Sequence, residues 1–133
     1  MRVVKPEILL PAMALALGFA MQPPIFAAST EADLPHAFDA GWKGQKTCDL
    51  LFEDDTVRVA RCVFPPGIGH EKHYHNPHFG YVLESGTMKI VDSKGEREVR
   101  TEAGTNWSTT QRSVHEAVNT GETTTGYLVV EPK

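Results

Sequence analysis

Past residue 45 no segment of this chain carries an apolar stripe at helical spacing, and that constrains the fold more than any other feature. The sequence breaks instead into nine short runs: 46–52, 57–64, 70–75, 79–84, 87–91, 96–101, 106–108, 114–118 and 125–131. Turn residues part them, at Glu53-Asp54-Asp55-Thr56, Pro65-Pro66-Gly67, Ser85-Gly86, Asp92-Ser93-Lys94-Gly95 and Asn119-Thr120-Gly121-Glu122. Many short strands joined by tight turns bury their apolar faces only against one another, so an antiparallel sandwich or barrel is expected.

The third and fourth runs are the densest in chemistry. GIGHEKHYHNPHFGYVLESG, residues 67–86, holds four of the six histidines. His73 and His75 are two apart and project from one face of a strand, with Cβ atoms roughly 6.6 Å apart. His115 lies far downstream in GTNWSTTQRSVHEAVN. Three neutral imidazoles suit one divalent ion of iron, manganese, nickel, copper or zinc, and residue type alone does not choose among them. His78 is the competing candidate for a further ligand, if the Asn76-Pro77 turn re-aims it. His70, an odd number of positions from His73, is expected beside the ligands or at the rim. The competing reading of all these rings is ordinary hydrogen-bonded polar side chains. Metal binding needs deprotonated rings, so affinity is expected to fall as pH drops through the histidine range.

The spacing resembles the two signature motifs of the cupin family. In G-x5-H-x-H-x3-4-E-x6-G, the positions Gly67, His73, His75 and Gly86 match. In G-x5-P-x-G-x2-H-x3-N, Gly104, His115 and Asn119 match. Phe79 stands where the family places its glutamate ligand, Thr110 replaces the proline and Arg112 the second glycine. The resemblance implies an all-β fold, an antiparallel double-stranded β-helix (jelly-roll or cupin barrel). It also implies metal ligation by His73, His75 and His115. The family hosts many unrelated activities, so it does not imply one reaction. Lacking the carboxylate, a three-histidine site keeps the full charge of its ion and favours a small anionic ligand. Phe79 and Tyr81, of one parity, Trp107, and Gln111 and Arg112 in the loop before His115 are the candidate pocket residues, with core or solvated positions as the plainer reading. Cupins often pair through a sheet edge, which makes a homodimer the resemblance's expectation.

The N-terminus reads as an address. Arg2 and Lys5 precede the apolar run Ile8–Met21, and small residues follow near Ala27, the layout of a secretory signal peptide spanning 1–27. The run falls short of the about 20 apolar residues a spanning helix needs, so no stable membrane anchor is expected after cleavage; the competing reading is an uncleaved N-terminal anchor. Residues 28–45 read as a polar N-terminal arm, laid over the barrel by Leu34, Phe38 and Trp42, with His36 expected in solvent. Residues 46–133 form the barrel domain. Loss of Arg2, Lys5 and Glu7 with the leader moves the formal charge from −4 to −5. That argues against nucleic acid and anionic membrane surfaces as partners and leaves a small-molecule ligand.

Cys48 and Cys62 flank the first turn in what is expected to be the periplasm or the exterior. A hairpin centred on Asp55 sets them opposite each other, Cys48 on a face with Leu50 and Phe52, and Cys62 with Ala60 and Phe64. A turn centred a half-step earlier separates them. The two readings are a disulfide and a pair of buried thiols. No nucleophile elbow, phosphate loop or H-E-x-x-H is present. The expected function is a small secreted metal-binding cupin, with two forms. One is a metalloenzyme, dioxygenase-like or a Lewis-acid lyase or isomerase; the other is a non-catalytic protein that captures a small ligand or metal.

Overall fold

The computed structural model describes residues 31–133, and the expected leader lies outside them. A short 3₁₀ turn, Glu31–Asp33, leads into a two-stranded hairpin of β1 (Gly41–Trp42) and β2 (Gln45–Lys46). There follow β3 (Cys48–Glu53), β4 (Val57–Phe64), β5 (Gly69–His75), β6 (His78–Glu84), β7 (Gly86–Asp92), β8 (Gly95–Thr101), β9 (Asn106–Thr109), β10 (Ser113–Asn119) and β11 (Thr125–Pro132). The nine runs expected from the sequence are β3 to β11, displaced by no more than two residues at any end.

Two antiparallel sheets face each other, in the orders β5-β10-β7-β8 and β3-β4-β11-β6-β9. The chain passes from one sheet to the other at most connections, which winds a double-stranded β-helix. Ala60, Cys62, Phe64, Met88, Ala117 and Val129 fill the space between the sheets. Gly67 and Gly104 take left-handed backbone, with φ of 77° and 89°, at the turns that open the two histidine-bearing segments. A side chain there is strained, which is why each motif begins on glycine. Asn119 closes the second segment structurally: its amide donates to the carbonyls of Phe64 (2.7 Å) and Thr123 (2.8 Å).

The segment before the barrel is part of it. Leu34 and Phe38 are buried. Residues 35–37 run along the free edge of β5, with Tyr74 N–H donating to the Pro35 carbonyl at 3.1 Å and Ala37 N–H to the Tyr74 carbonyl at 2.8 Å. His36 is the correction here. It is buried, and its Nε2 lies 2.9 Å from Glu131, a carboxylate only 1% exposed that also accepts from Arg58 and Asn76. A lone polar ring in a polar stretch gave no sign of this partner, 95 positions away.

Cys48 and Cys62 are cross-strand partners and form a disulfide. The assumed hairpin centre holds at that pair and fails nearer the turn. A bulge at Leu51 shifts the register, so that Phe52 faces Val59. Leu50 and Phe52, expected on the buried face with Cys48, are 49% and 53% exposed. Among the described residues no helix is long and apolar enough to cross a membrane.

Candidate metal centre

His73 and His75 project from β5 into the space between the sheets, and β10 lays His115 directly opposite His73. One ring nitrogen of each of the three lies within 4.8 Å of those of the other two. His73 Nε2 stands 3.0 Å from His75 Nε2. Two nitrogens bound to one ion at about 2.1 Å and at right angles stand about 3.0 Å apart, so this pair is spaced as adjacent ligands are. His73 Nδ1–H donates to the Glu71 carbonyl at 2.6 Å, which leaves the lone pair on Nε2. His75 Nδ1 is buried with no hydrogen-bond partner. Stacking places that ring, between His78 at 4.4 Å and His115 at 5.1 Å.

Burial keeps these rings neutral. It pushes His73 down to about 2, helped by His70 and His115. It pushes His75 further below the ordinary histidine range, with His73 and His115 adding to the effect. His115 falls to about 4, by burial first and His78 second, with Asp92 opposing. His70 also falls to about 4, by burial and then by His115. A charged imidazole loses its hydration here and meets other rings, and the nearby carboxylates Asp92 and Glu71 offset this only in part. Three neutral nitrogen donors, one of them fixed in tautomer by a backbone carbonyl, fit a divalent ion of the iron, manganese, nickel, copper or zinc type.

Two further histidines were expected nearby and both are buried at the site, each for a reason absent from simple strand parity. His70 is three positions from His73, yet their rings stack at 3.9 Å. A bulge in β5 puts three steps of β5 against two of β10, between the pairs His115–His73 and Ala117–His70, and this turns His70 inward. It is therefore a packing partner of His73, not a rim residue. His78 faces inward because the Asn76-Pro77 turn resets the phase of the next strand. It does not join the three-histidine group. Trp107 Nε1–H donates to its Nε2 at 3.2 Å, and an indole can only donate. Its Nδ1–H then faces the Asn76 carbonyl at 2.8 Å, so both nitrogens are engaged.

The same reset in phase corrects two of the five expected pocket residues. On β6 the inward positions are His78, Gly80 and Val82, and Phe79 and Tyr81 point outward, 41% and 37% exposed. Gln111 and Arg112 lie outside this inner cavity and line a neighbouring open pocket that shares Asp92, Thr109 and Ser113 with it. The Arg112 guanidinium sits 4.1 Å above the ring of Tyr74, which points away from its two histidine neighbours. Trp107 does line the cavity, its ring packed flat against Gly80, where any Cβ collides with it.

The cavity, of about 330 Å³, is walled by Phe64, Met88, Ile90, Trp107, Tyr127 and Val129, with His75 and His115 at one side. Sequence reasoning missed Asp92 and Arg97, which also line it and pair at 2.9 Å. The only sequence signal for them was their place either side of the 92–95 turn.

No protein-family model matches the chain, and no curated protein matches it in sequence. Solved structures do match in fold. A cupin domain from Bordetella pertussis Tohama I is 18% identical, with a TM-score of 0.61, over 65% of this chain and 91% of that one. A polyketide cyclase from Streptomyces resistomycificus is 21% identical, with a TM-score of 0.57, over 79% of this chain and 78% of its own. A predicted oxalate decarboxylase from Thermotoga maritima is 21% identical, with a TM-score of 0.52, over 77% and 96%. The fold and the inward histidines define a small jelly-roll protein with a pocket between its sheets. That fold is the cupin fold.

Proposed function

We propose that this protein is a secreted, single-domain cupin whose His73, His75 and His115 hold one divalent metal ion and present it to a small anionic molecule. The observation that carries the reading is the 3.0 Å approach of two Nε2 atoms inside a buried cluster of three rings. When bound, such an ion supplies a Lewis acid with its full positive charge and open positions, and iron would add oxygen chemistry. The chain's own residues orient and enclose. Glu71 holds the His73 tautomer, the Trp107–His78 bond fixes the adjoining wall, and the apolar side chains exclude water. Similarity in fold to a polyketide cyclase and a predicted oxalate decarboxylase supports an enzyme, either oxygenase or lyase/isomerase in type.

One observation favours the second reading, capture of a ligand without turnover. Asp92 and His78 are already paired, and the Tyr127 hydroxyl meets that of Thr101 at 3.3 Å, so each of these cavity groups is already engaged. Metal analysis of protein purified with its native ion, followed by oxygen uptake and turnover assays, tests both. Turnover that vanishes in His73→Ala and His115→Ala supports the enzyme; stoichiometric metal without turnover supports the binder.

Export to the periplasm or exterior belongs to the same reading. The disulfide fits an oxidising compartment, and the leader at 1–27 would be removed there. So does a homodimer, supported by the in-register apolar row Phe52, Val59, Val130 and Phe79 on the outer face of the five-stranded sheet. Sedimentation of the mature protein tests it.

A further inference from the structure

The charges in the cavity are distributed unevenly. Its walls are apolar, and among the described residues lining it Arg97 is the one permanent cation. The fold, not the local sequence, puts it there. His115 is the cross-strand partner of Asp92, and two residues along, Ala117 pairs with Ile90 and Ile90 with Arg97. Arg97 therefore shares the inner face with Ile90, two strands from His115 and three from His73 and His75. The Asp92 carboxylate is committed twice over. Its Oδ1 accepts from the Lys94 amide at 2.8 Å and closes the turn, and its Oδ2 meets one terminal nitrogen of Arg97 at 2.9 Å. A guanidinium has five N–H donors in a planar fork, and this contact uses one terminal nitrogen. The side chain is thus held by one corner, 45% exposed at the open side of the cavity.

We infer that Arg97, tethered by Asp92 at the cavity mouth, is the specificity-determining residue of this site, and that it selects a carboxylate carried on an apolar body. The inference rests on the reading of the cavity as a ligand site and names its substrate class. Arginine meets a carboxylate through two parallel N–H bonds where a lysine offers a point charge. The Phe64, Met88, Ile90, Tyr127 and Val129 walls take an aromatic or branched aliphatic body. The carboxylate then lies on the His115 side of the cavity, because Asp92, which holds Arg97, is the cross-strand partner of His115, and the apolar body extends along the walls. A highly charged, sugar-like ligand does not suit those walls, since they leave its polar groups without partners. An inward charge on the edge strand β8 also discourages sheet-to-sheet aggregation, and that simpler role makes the opposite prediction for binding.

The test uses the mature protein, with and without zinc, and calorimetric titration with 4-acetylbenzoate and its neutral amide, 4-acetylbenzamide. The wild type should bind the carboxylate about ten- to hundredfold more tightly than the amide, the discrimination expected of a hydrogen-bonded ionic contact. Arg97→Met should erase that preference, weakening the carboxylate far more than the amide, with zinc stoichiometry unchanged. Arg97→Lys should restore part of it. Equal affinities for the two probes, no measurable binding of the carboxylate, or a preference that survives Arg97→Met would overturn the assignment. The two readings fail separately. A preference that depends on Arg97 in protein that takes up no zinc removes the metal centre and leaves Arg97 its role. Zinc binding without the preference does the reverse.

Discussion

His73 and His75 bring their Nε2 atoms to 3.0 Å of each other on the buried face of β5, with the other nitrogen of His73 tied to the Glu71 carbonyl. Neither ring can swing away without breaking that bond or the stacking around it. A metal ion would therefore meet ligands already in position. Replacing His73 or His115 by alanine should reduce zinc or nickel affinity by well over the about 10- to 100-fold lost when only a ligand's supporting partner is removed. Metal content per chain after dialysis measures this. Unchanged stoichiometry in either variant would remove the site.

Acid should weaken the metal-free protein in a defined window. His70 and His115 titrate near 4 in the fold and near 6.5 when unfolded. Between those values the unfolded chain binds more protons, so acidification favours it. Stability should be unaffected by these rings above 6.5 and fall steadily from there towards 4. Glu131 adds a second loss below its ordinary 4.5. Its burial raises its pKa, but the bonds from His36, Arg58 and Asn76 outweigh this and hold it down to about 2. Thermal midpoints of metal-free protein from pH 7 to pH 3 check this, and a flat profile between 6.5 and 4 would contradict it.

The same depression alters the expected pH dependence of metal retention. Loss through the ordinary histidine range was the expectation from sequence. Rings that stay neutral to about 4 or below meet little proton competition at pH 5. Zinc should therefore stay bound at pH 5 and be released nearer pH 4, as followed by a chromogenic chelator.

Trp107 and His78 should be energetically coupled. Trp107→Phe keeps most of the packing against Gly80 and removes the donor to His78 Nε2, leaving a buried acceptor unpaired at a cost of about 1–3 kcal/mol. Chemical denaturation measures the loss. In a double-mutant cycle with His78→Phe the two effects should fall short of additive.

Reduction of Cys48–Cys62 frees a loop with a sequence separation of 14. The unfolded chain gains the entropy of that loop, roughly 3 kcal/mol. Neither cysteine belongs to the three-histidine group, so Cys48→Ala/Cys62→Ala should lower the thermal midpoint and leave metal stoichiometry intact. A midpoint equal to that of the wild type would show that the bridge adds nothing.

Much of this architecture was legible in the chain itself. Turn residues at fixed places delimit the strands from β3 to β11, and a period of two decides which face of each is apolar, because both are local properties. The H-x-H pair was legible for the same reason, and His115 through its motif spacing. What lay beyond the sequence depended on phase and partnership. The bulge that turns His70 inward, the Asn76-Pro77 reset that exposes Phe79 and Tyr81 while burying His78, and the bulge at Leu51 each add a residue or a turn that strict alternation does not foresee. His36 meets Glu131 from the far end of the chain, and Arg97 reaches the cavity only because β7 and β8 pair in one register. Alternation along one strand is set by the backbone of that strand alone; which side chains meet across strands is set by the whole sheet, and only the tertiary structure decides it.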